Sequence, residues 1–447
     1  MTHLGLLIFK AKAFIKTSFV RDVGLLQIGN GVTIFVGTIG SMVLARLLRP
    51  EMYGIYGLIF AFVGVIGIFM NWGADYAGLT LLAEAYAKED RKEIINILTY
   101  YTKLSLFVIL GVGILGIIFS PLITQLLYHN NQIGNWGRVV LAGICLSAVY
   151  NMLNMILQAS RRIKHLVIFE ILNKLIFTLL PIIFVLSGLG LAGIVWGYFI
   201  SALIFLCASL LILRFLFQKG KLLIGFKEVF YNFKKVDFRK YFKFGFLIAI
   251  NKNVGSLLSL LPVIILGIYA TSSDVAYFKI AFGYIGIPLI ILSPVSRLLG
   301  VQLPKSKTYG IETLRSHFYK ISFWSGLISF LLMVVFVVMG PFLIRFFYGV
   351  EYIESMKLVY WLSIFGFVSS IGVGLGPIYR TLNKMKPAII IVIGQVIAMV
   401  LGVLVFKNFF SPLFSVILSL IVSWIIFLFI NFYFLGRIFK NANKTQQ

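Results

Sequence analysis

Charge is what this sequence has least of. Only 12% of its 447 residues are Asp, Glu, Lys or Arg, and acids are rarer still, 14 against 40 basic residues. Cysteine is nearly absent as well. Cys145 and Cys207 both lie inside apolar runs, where a free thiol behaves as a small hydrophobe, so neither a disulfide framework nor a metal site is expected. The four histidines give no catalytic constellation, since His129 sits among amides while His3, His165 and His317 fall in basic connecting segments. Long polar connections are missing too, with one exception between Arg214 and Lys243. A net charge of +26 on a soluble fold would point to nucleic acid. Here the basic residues punctuate apolar spans, which excludes that partner.

Apolar residues fill the space that charge leaves. They make up 60% of the chain, and the mean hydropathy is +1.01. A soluble domain of this size could not hide that much apolar surface, so the expected class is an all-α polytopic membrane protein. The stretch from Leu25 to Glu84 shows the design, with two apolar runs hinged at LARLLRPEMYGIYGL and a lone acid, Asp75, in the second. Runs of about 20 apolar residues cross a bilayer. About twelve transmembrane helices follow, at roughly 24–47, 53–82, 98–120, 137–159, 166–187, 190–214, 242–269, 275–299, 317–340, 357–380, 388–406 and 412–436.

Lys and Arg are retained on the cytoplasmic side, and their distribution orients the spans. Lys88, Arg91 and Lys92, then Arg161, Arg162 and Lys164, then Arg297, Lys305 and Lys307, then Arg380, Lys384 and Lys386 fall in alternate connections. The opposite connections, such as HNNQIGN, SGLG and TSSD, are poor in charge, with Arg46, Arg49, Arg345 and Lys357 as exceptions. Both termini are therefore expected in the cytoplasm. The opening segment MTHLGLLIFKAKAFIKTSFVRD has no small-residue cleavage site after an apolar core, so residues 1–22 read as a basic amphipathic helix on the membrane. A six-helix half is expected over 23–214, a basic cytoplasmic linker over 215–241 resting on anionic lipid, a second six-helix half over 242–436, and a tail over 437–447. Shifting the sequence by 222 positions brings Leu44, Phe60, Gly64, Ile68, Gly78 and Leu81 onto identical residues at Leu266, Phe282, Gly286, Ile290, Gly300 and Leu303. Six spans per half make such a repeat parallel, with a pseudo-twofold axis along the membrane normal.

The residues of the opening hairpin, GNGVTIFVGTIGSMVLARLLRPEMYGIYGL, with the Gly-rich second span and the polar AEAYAKEDRKE loop, resemble the Wzx-type polysaccharide flippases. These belong to the multidrug/oligosaccharidyl-lipid/polysaccharide exporter superfamily, with the lipid II flippases and the multidrug and toxin extrusion transporters. The resemblance implies a protein of the bacterial inner membrane that is not an enzyme. It implies transport of undecaprenyl-pyrophosphate-linked oligosaccharide from the cytoplasmic to the periplasmic leaflet by alternating access. It further implies membrane lipids, a glycan polymerase and a chain-length regulator as partners, and no cofactor beyond coupling to a Na+ or H+ gradient.

Such a task calls for a cation-lined cavity, and a charge facing lipid at mid-membrane costs about 2.5–3.5 kcal/mol, so intramembrane ionisable residues are the candidates. Lys252, between Asn251 and Asn253, is the first, with Asn30 opposite it under the 222-residue shift. A lysine 4 Å from a phosphate charge contributes about 4 kcal/mol at an effective dielectric of 20. Lys279, Arg46 and Arg49 complete the substrate-binding candidates, with snorkelling or pairing within the turn as the plainer alternatives. Asp75 is an ion-coupling candidate or a structural acid. Glu170 and Lys174, at i and i+4, form either a structural ion pair or part of the cavity. Two other functions remain open, ion-coupled drug antiport within the same superfamily and a membrane glycan polymerase or ligase. The short external connections speak against the last.

Overall fold

A computed structural model describes residues 18–70, 72–219, 226–233, 235–236 and 238–444, and all regular structure among them is helical. The N-terminal segment expected as an amphipathic helix therefore lies largely outside the described residues. Ten helical stretches are long and apolar enough to cross a membrane. Two of them, Arg21–Met70 and Ile163–Phe215, run 50 and 53 residues, whereas a bilayer core of about 30 Å needs only about 20. Each of these two crosses twice, which makes twelve crossings. Six precede the segment around residues 220–237 and six follow it.

The double crossings follow from local backbone chemistry. In α1 (Ser18–Met70) the chain turns at Arg49, which holds φ 60 and ψ 169 ahead of Pro50. Proline bars the α conformation to the residue before it and starts a new helix at its own fixed φ. The second reversal uses glycine, at Gly188 (φ 89) and Gly190 (φ 52), between α6 (Ile163–Phe184) and α7 (Gly190–Lys219).

The second crossing differs from the continuous span 53–82 read from the sequence. Helix α1 ends at Met70, and α2 (Ala74–Ala87) begins after Trp72 and Gly73. Gly73 has φ 84, and a Cβ there would run into the carbonyl oxygen of Gly245 in α9 (Phe238–Tyr269). The break is thus a backbone-to-backbone packing point that only glycine permits. Helix α3 (Arg91–Val108) passes through a π-helical turn at Ile109–Gly113 into α4 (Ile114–Tyr128). Helix α5 (Asn131–Ala159) starts on Asn130, whose side chain accepts from the amide of Gln132.

Packing divides the chain into two compact units. One runs to Leu47 and resumes over Ile66–Ile250; the other takes Leu48–Val65 and the chain from Asn251 onward. In the first, α5 packs on α4, α6 and α7. Its core around Leu98, Tyr100, Leu153 and Leu166 reaches into the midpoint segment, whose Val229 and Val236 are buried. The short α8 (Phe226–Tyr231) lies on α3: Arg91 meets Glu228 at 2.8 Å, Thr99 Oγ1 donates to the Val229 carbonyl, and Lys103 Nζ donates to the Phe233 carbonyl. Val229 and Val236 thus dock on the protein core, while Tyr231 and Lys235 stay exposed.

In the second unit, α10 (Ser272–Thr308) packs on α11 (Ile311–Phe347) and α12 (Ser355–Ile371), and α14 (Met385–Phe406) on α15 (Pro412–Lys444). The tenth span loosens where its glycines stand, at a 3-10 turn over Gly372–Gly374 before α13 (Leu375–Thr381). Substituting Gly73→Ala should lower stability by about 1–3 kcal/mol. Gly111→Ala, whose Cβ would meet open space, should not. Thermal unfolding midpoints of the two purified variants check this.

Candidate functional site

The outer arm of α1, which follows Pro50, is lined with glycines on one face. A Cβ at Gly54 would strike the Ser272 carbonyl, one at Gly57 would touch Lys279, and one at Gly64 would touch Leu260. Small residues at these positions let the arm approach α9 and α10 closely, backbone to backbone at Gly54 and against side chains at Gly57 and Gly64. That approach carries Tyr53 and Tyr56 over the side chain of Lys279. The Lys279 Nζ lies 3.8 Å from the centroid of the Tyr56 ring and 4.8 Å from that of Tyr53. Among the described residues no acid stands within salt-bridge distance of it.

An ammonium over two aromatic faces is a cation–π site, worth about 2 kcal/mol or more when desolvated. Tyr53 is itself fixed, being 1% exposed and edge-on to Tyr352, which Tyr277 and Tyr348 also meet edge-on. The result is an aromatic box in which two tyrosine rings cover one lysine. Arg49 lies at the tip of the same arm, its guanidinium exposed and 3.8 Å from Glu351. Its acid partner is thus Glu351 rather than the neighbouring Glu51. A non-glycine residue at φ 60, ψ 169 is strained, and the tip holds that strain.

The remaining candidates fall in separate places. Lys252 is exposed and Asn253 half-buried, both at the start of the second unit, and the Lys252 carbonyl accepts from Ser256 Oγ at 3.1 Å. The side chains of Asn251 and Asp75 lie outside the described residues. Asn30 is half-buried, its carbonyl accepting from Thr33 Oγ1, and Arg46 is exposed. Glu170 and Lys174 are half-buried on α6, and no salt bridge joins them among the described residues. The Lys174 chain instead lies along α1 at Gly37, between Val167 at Gly29 and Thr178 at Gly40. The order of these contacts makes α1 and α6 parallel, as crossings in the same direction must be.

Sequence reading singled out Lys279 but missed its box. The signal was the Tyr-x-x-Tyr pair at Tyr53 and Tyr56, spaced to share one helix face. Replacing Tyr56 by Leu should destabilise the protein by about 1–2 kcal/mol. Adding Lys279→Met in the Tyr56→Leu background should recover part of that loss. Strictly additive effects in this double-mutant cycle, read by thermal unfolding, would show that the ring and the ammonium do not interact.

The sequence matches a family described as polysaccharide biosynthesis protein over residues 19–299, more than half of the chain. No curated protein is significantly similar to it. Among solved structures it is similar to an inward-facing multidrug resistance MATE family transporter of the MOP superfamily, with a TM-score of 0.72 at 15% identity over 92% of this chain and 96% of that one. An outward-facing conformation of such a transporter gives 0.62 at 15% identity over 96% and 98%. A eukaryotic MATE transporter, AtDTX14, gives 0.62 at 16% over 96% and 100%. The fold is thus the one these structures share, and the chain belongs to the polysaccharide biosynthesis protein family.

Proposed function

We propose that this multi-pass membrane protein carries an undecaprenyl-pyrophosphate-linked oligosaccharide from the cytoplasmic to the periplasmic leaflet of a bacterial inner membrane, its termini in the cytoplasm, by alternating access. The observation that carries the reading is the family match over residues 19–299 on a chain with a transporter fold. Charge supports it. The described intramembrane ionisable groups are mainly basic, and Lys279 is held by aromatic faces rather than by an acid. Such a cation suits an anionic headgroup better than a cationic drug. In this account Lys252, Asn251, Asn253, Asn30, Lys279, Arg46 and Arg49 face the pyrophosphate and sugar along the path. Asp75 is the coupling acid, and Glu170 and Lys174 are part of the cavity. The lipid tail stays in the bilayer, so the protein must shield only the polar part.

Deleting the gene should cause lipid-linked repeat units to accumulate on the cytoplasmic leaflet, as read by leaflet-selective labelling of extracted glycolipid. Lys252→Ala should lower export of surface glycan at unchanged protein level in the membrane. Normal surface glycan in the deletion strain would remove the proposed function, and wild-type export by Lys252→Ala would remove that residue from the path.

A further inference from the structure

The break at Trp72 and Gly73 has a cleft beside it, within the first unit, of about 190 Å³. Three walls form it: the end of α1, one face of α3 running into the π-helical turn, and one face of α5. We propose that this cleft binds one uncharged pyranose ring of the transported saccharide. The inference rests on the proposed function and specifies which part of the substrate this place receives.

Four observations carry it. First, among the described residues the lining contains no carboxylate, ammonium, guanidinium or imidazole, in a chain of net charge +26. A pyrophosphate would find no counter-charge here, whereas a neutral group loses nothing. Second, the cleft offers aromatic surface with its donors already engaged. Trp72 Nε1 donates to the Phe69 carbonyl, and the Tyr101 hydroxyl donates to the Ala148 carbonyl. Phe242 and Phe246 pack against the indole at 6.0 and 5.8 Å between centroids, so Trp72 is held in place. What remains for a ligand is the half-buried Trp72 indole, Tyr101 being itself buried, and the C–H face of a pyranose stacks on such a ring.

Third, the cleft keeps hydrogen-bonding groups in reserve. Among the described residues neither the Ser105 hydroxyl nor the exposed Asn151 amide takes part in a hydrogen bond. They stand on different walls, and an amide with two donors and an acceptor matches a pair of adjacent sugar hydroxyls. Fourth, irregular backbone frames the cleft, with the interrupted helix on one side and the π-helical turn beginning at Ile109 on the other. The second unit holds a contrasting cleft of about 260 Å³, lined by Phe330, Met333, Phe367 and other apolar side chains with Ser363 alone polar, which has the lining of a lipid groove. Size agrees, since a cavity of about 150 Å³ holds a benzene ring, and 190 Å³ leaves room for ring substituents.

The test uses the full-length chain in lipid nanodiscs and saturation-transfer NMR with methyl glucoside, methyl galactoside and methyl N-acetylglucosaminide, with pyrophosphate and farnesol as competitors. At least one pyranoside should receive saturation on its ring protons, unaffected by pyrophosphate. The effect should fall at least tenfold in Trp72→Leu and in Asn151→Ala, and persist in Asn408→Ala, in the connection between α14 and α15. Asn151 is exposed, so its variant decides the matter should Trp72→Leu fail to fold. Absence of transfer from all three pyranosides, equal transfer in wild type and Asn151→Ala, or displacement by farnesol would overturn the proposal, the last reassigning the cleft to a lipid chain. Binding is read here without translocation, so failure leaves the leaflet-accumulation result standing, and failure of that result leaves this one interpretable.

Discussion

Close approach of helices through glycine is the contact on which this molecule depends. In a membrane, helices gain little from burying apolar side chains against each other rather than against lipid, so packing rests on surfaces that fit. Helix α1 carries two such surfaces. Gly29, Gly37 and Gly40 receive side chains of α6, and Gly54, Gly57 and Gly64 receive α9 and α10. The turn at Arg49 separates the two stripes, and the division between the compact units falls next to it, at Leu47 and Leu48. One helical element thus serves both units, each through its own row of small residues.

The same contact sets the chemistry of the outer arm. Only because Gly57 lets Lys279 lie flat against α1 do the rings of Tyr53 and Tyr56 cover the ammonium. The break at Gly73 does comparable work in the first unit. There a missing Cβ lets Gly245 approach, the helix opens, and an uncharged cleft with free polar groups forms beside it. Cationic and neutral surfaces are therefore both products of glycine positions.

Much of this was legible in the sequence, for reasons that lie in the bilayer. Twelve apolar runs and alternating basic connections are imposed by membrane thickness and topology, so span number could be read directly. The Arg49–Pro50 turn was legible from proline chemistry, and the 222-residue shift places Arg49 on Thr271, where the α9–α10 turn lies. The break at Trp72 and Gly73 was hidden inside an apolar run, because its cause is a packing partner 172 positions away at Gly245. The aromatic box was hidden for the same reason: Tyr53 and Lys279 are far apart in sequence, and periodicity reports one helix at a time. Docking of the midpoint segment escaped because Val229 and Val236 are too few to outweigh the surrounding lysines in any composition window.

The claim at the centre of the account is that this fold moves a lipid-linked saccharide between leaflets. Purified protein reconstituted into liposomes with undecaprenyl-pyrophosphate-linked oligosaccharide in one leaflet tests it most directly, by the rate at which an impermeant lectin or glycosidase gains access to the sugar from the other side. The account predicts that access rises with protein content well above that of protein-free liposomes and is reduced by Lys279→Met. Access at the protein-free rate, from protein that elutes as a folded species and keeps its thermal transition, would contradict it.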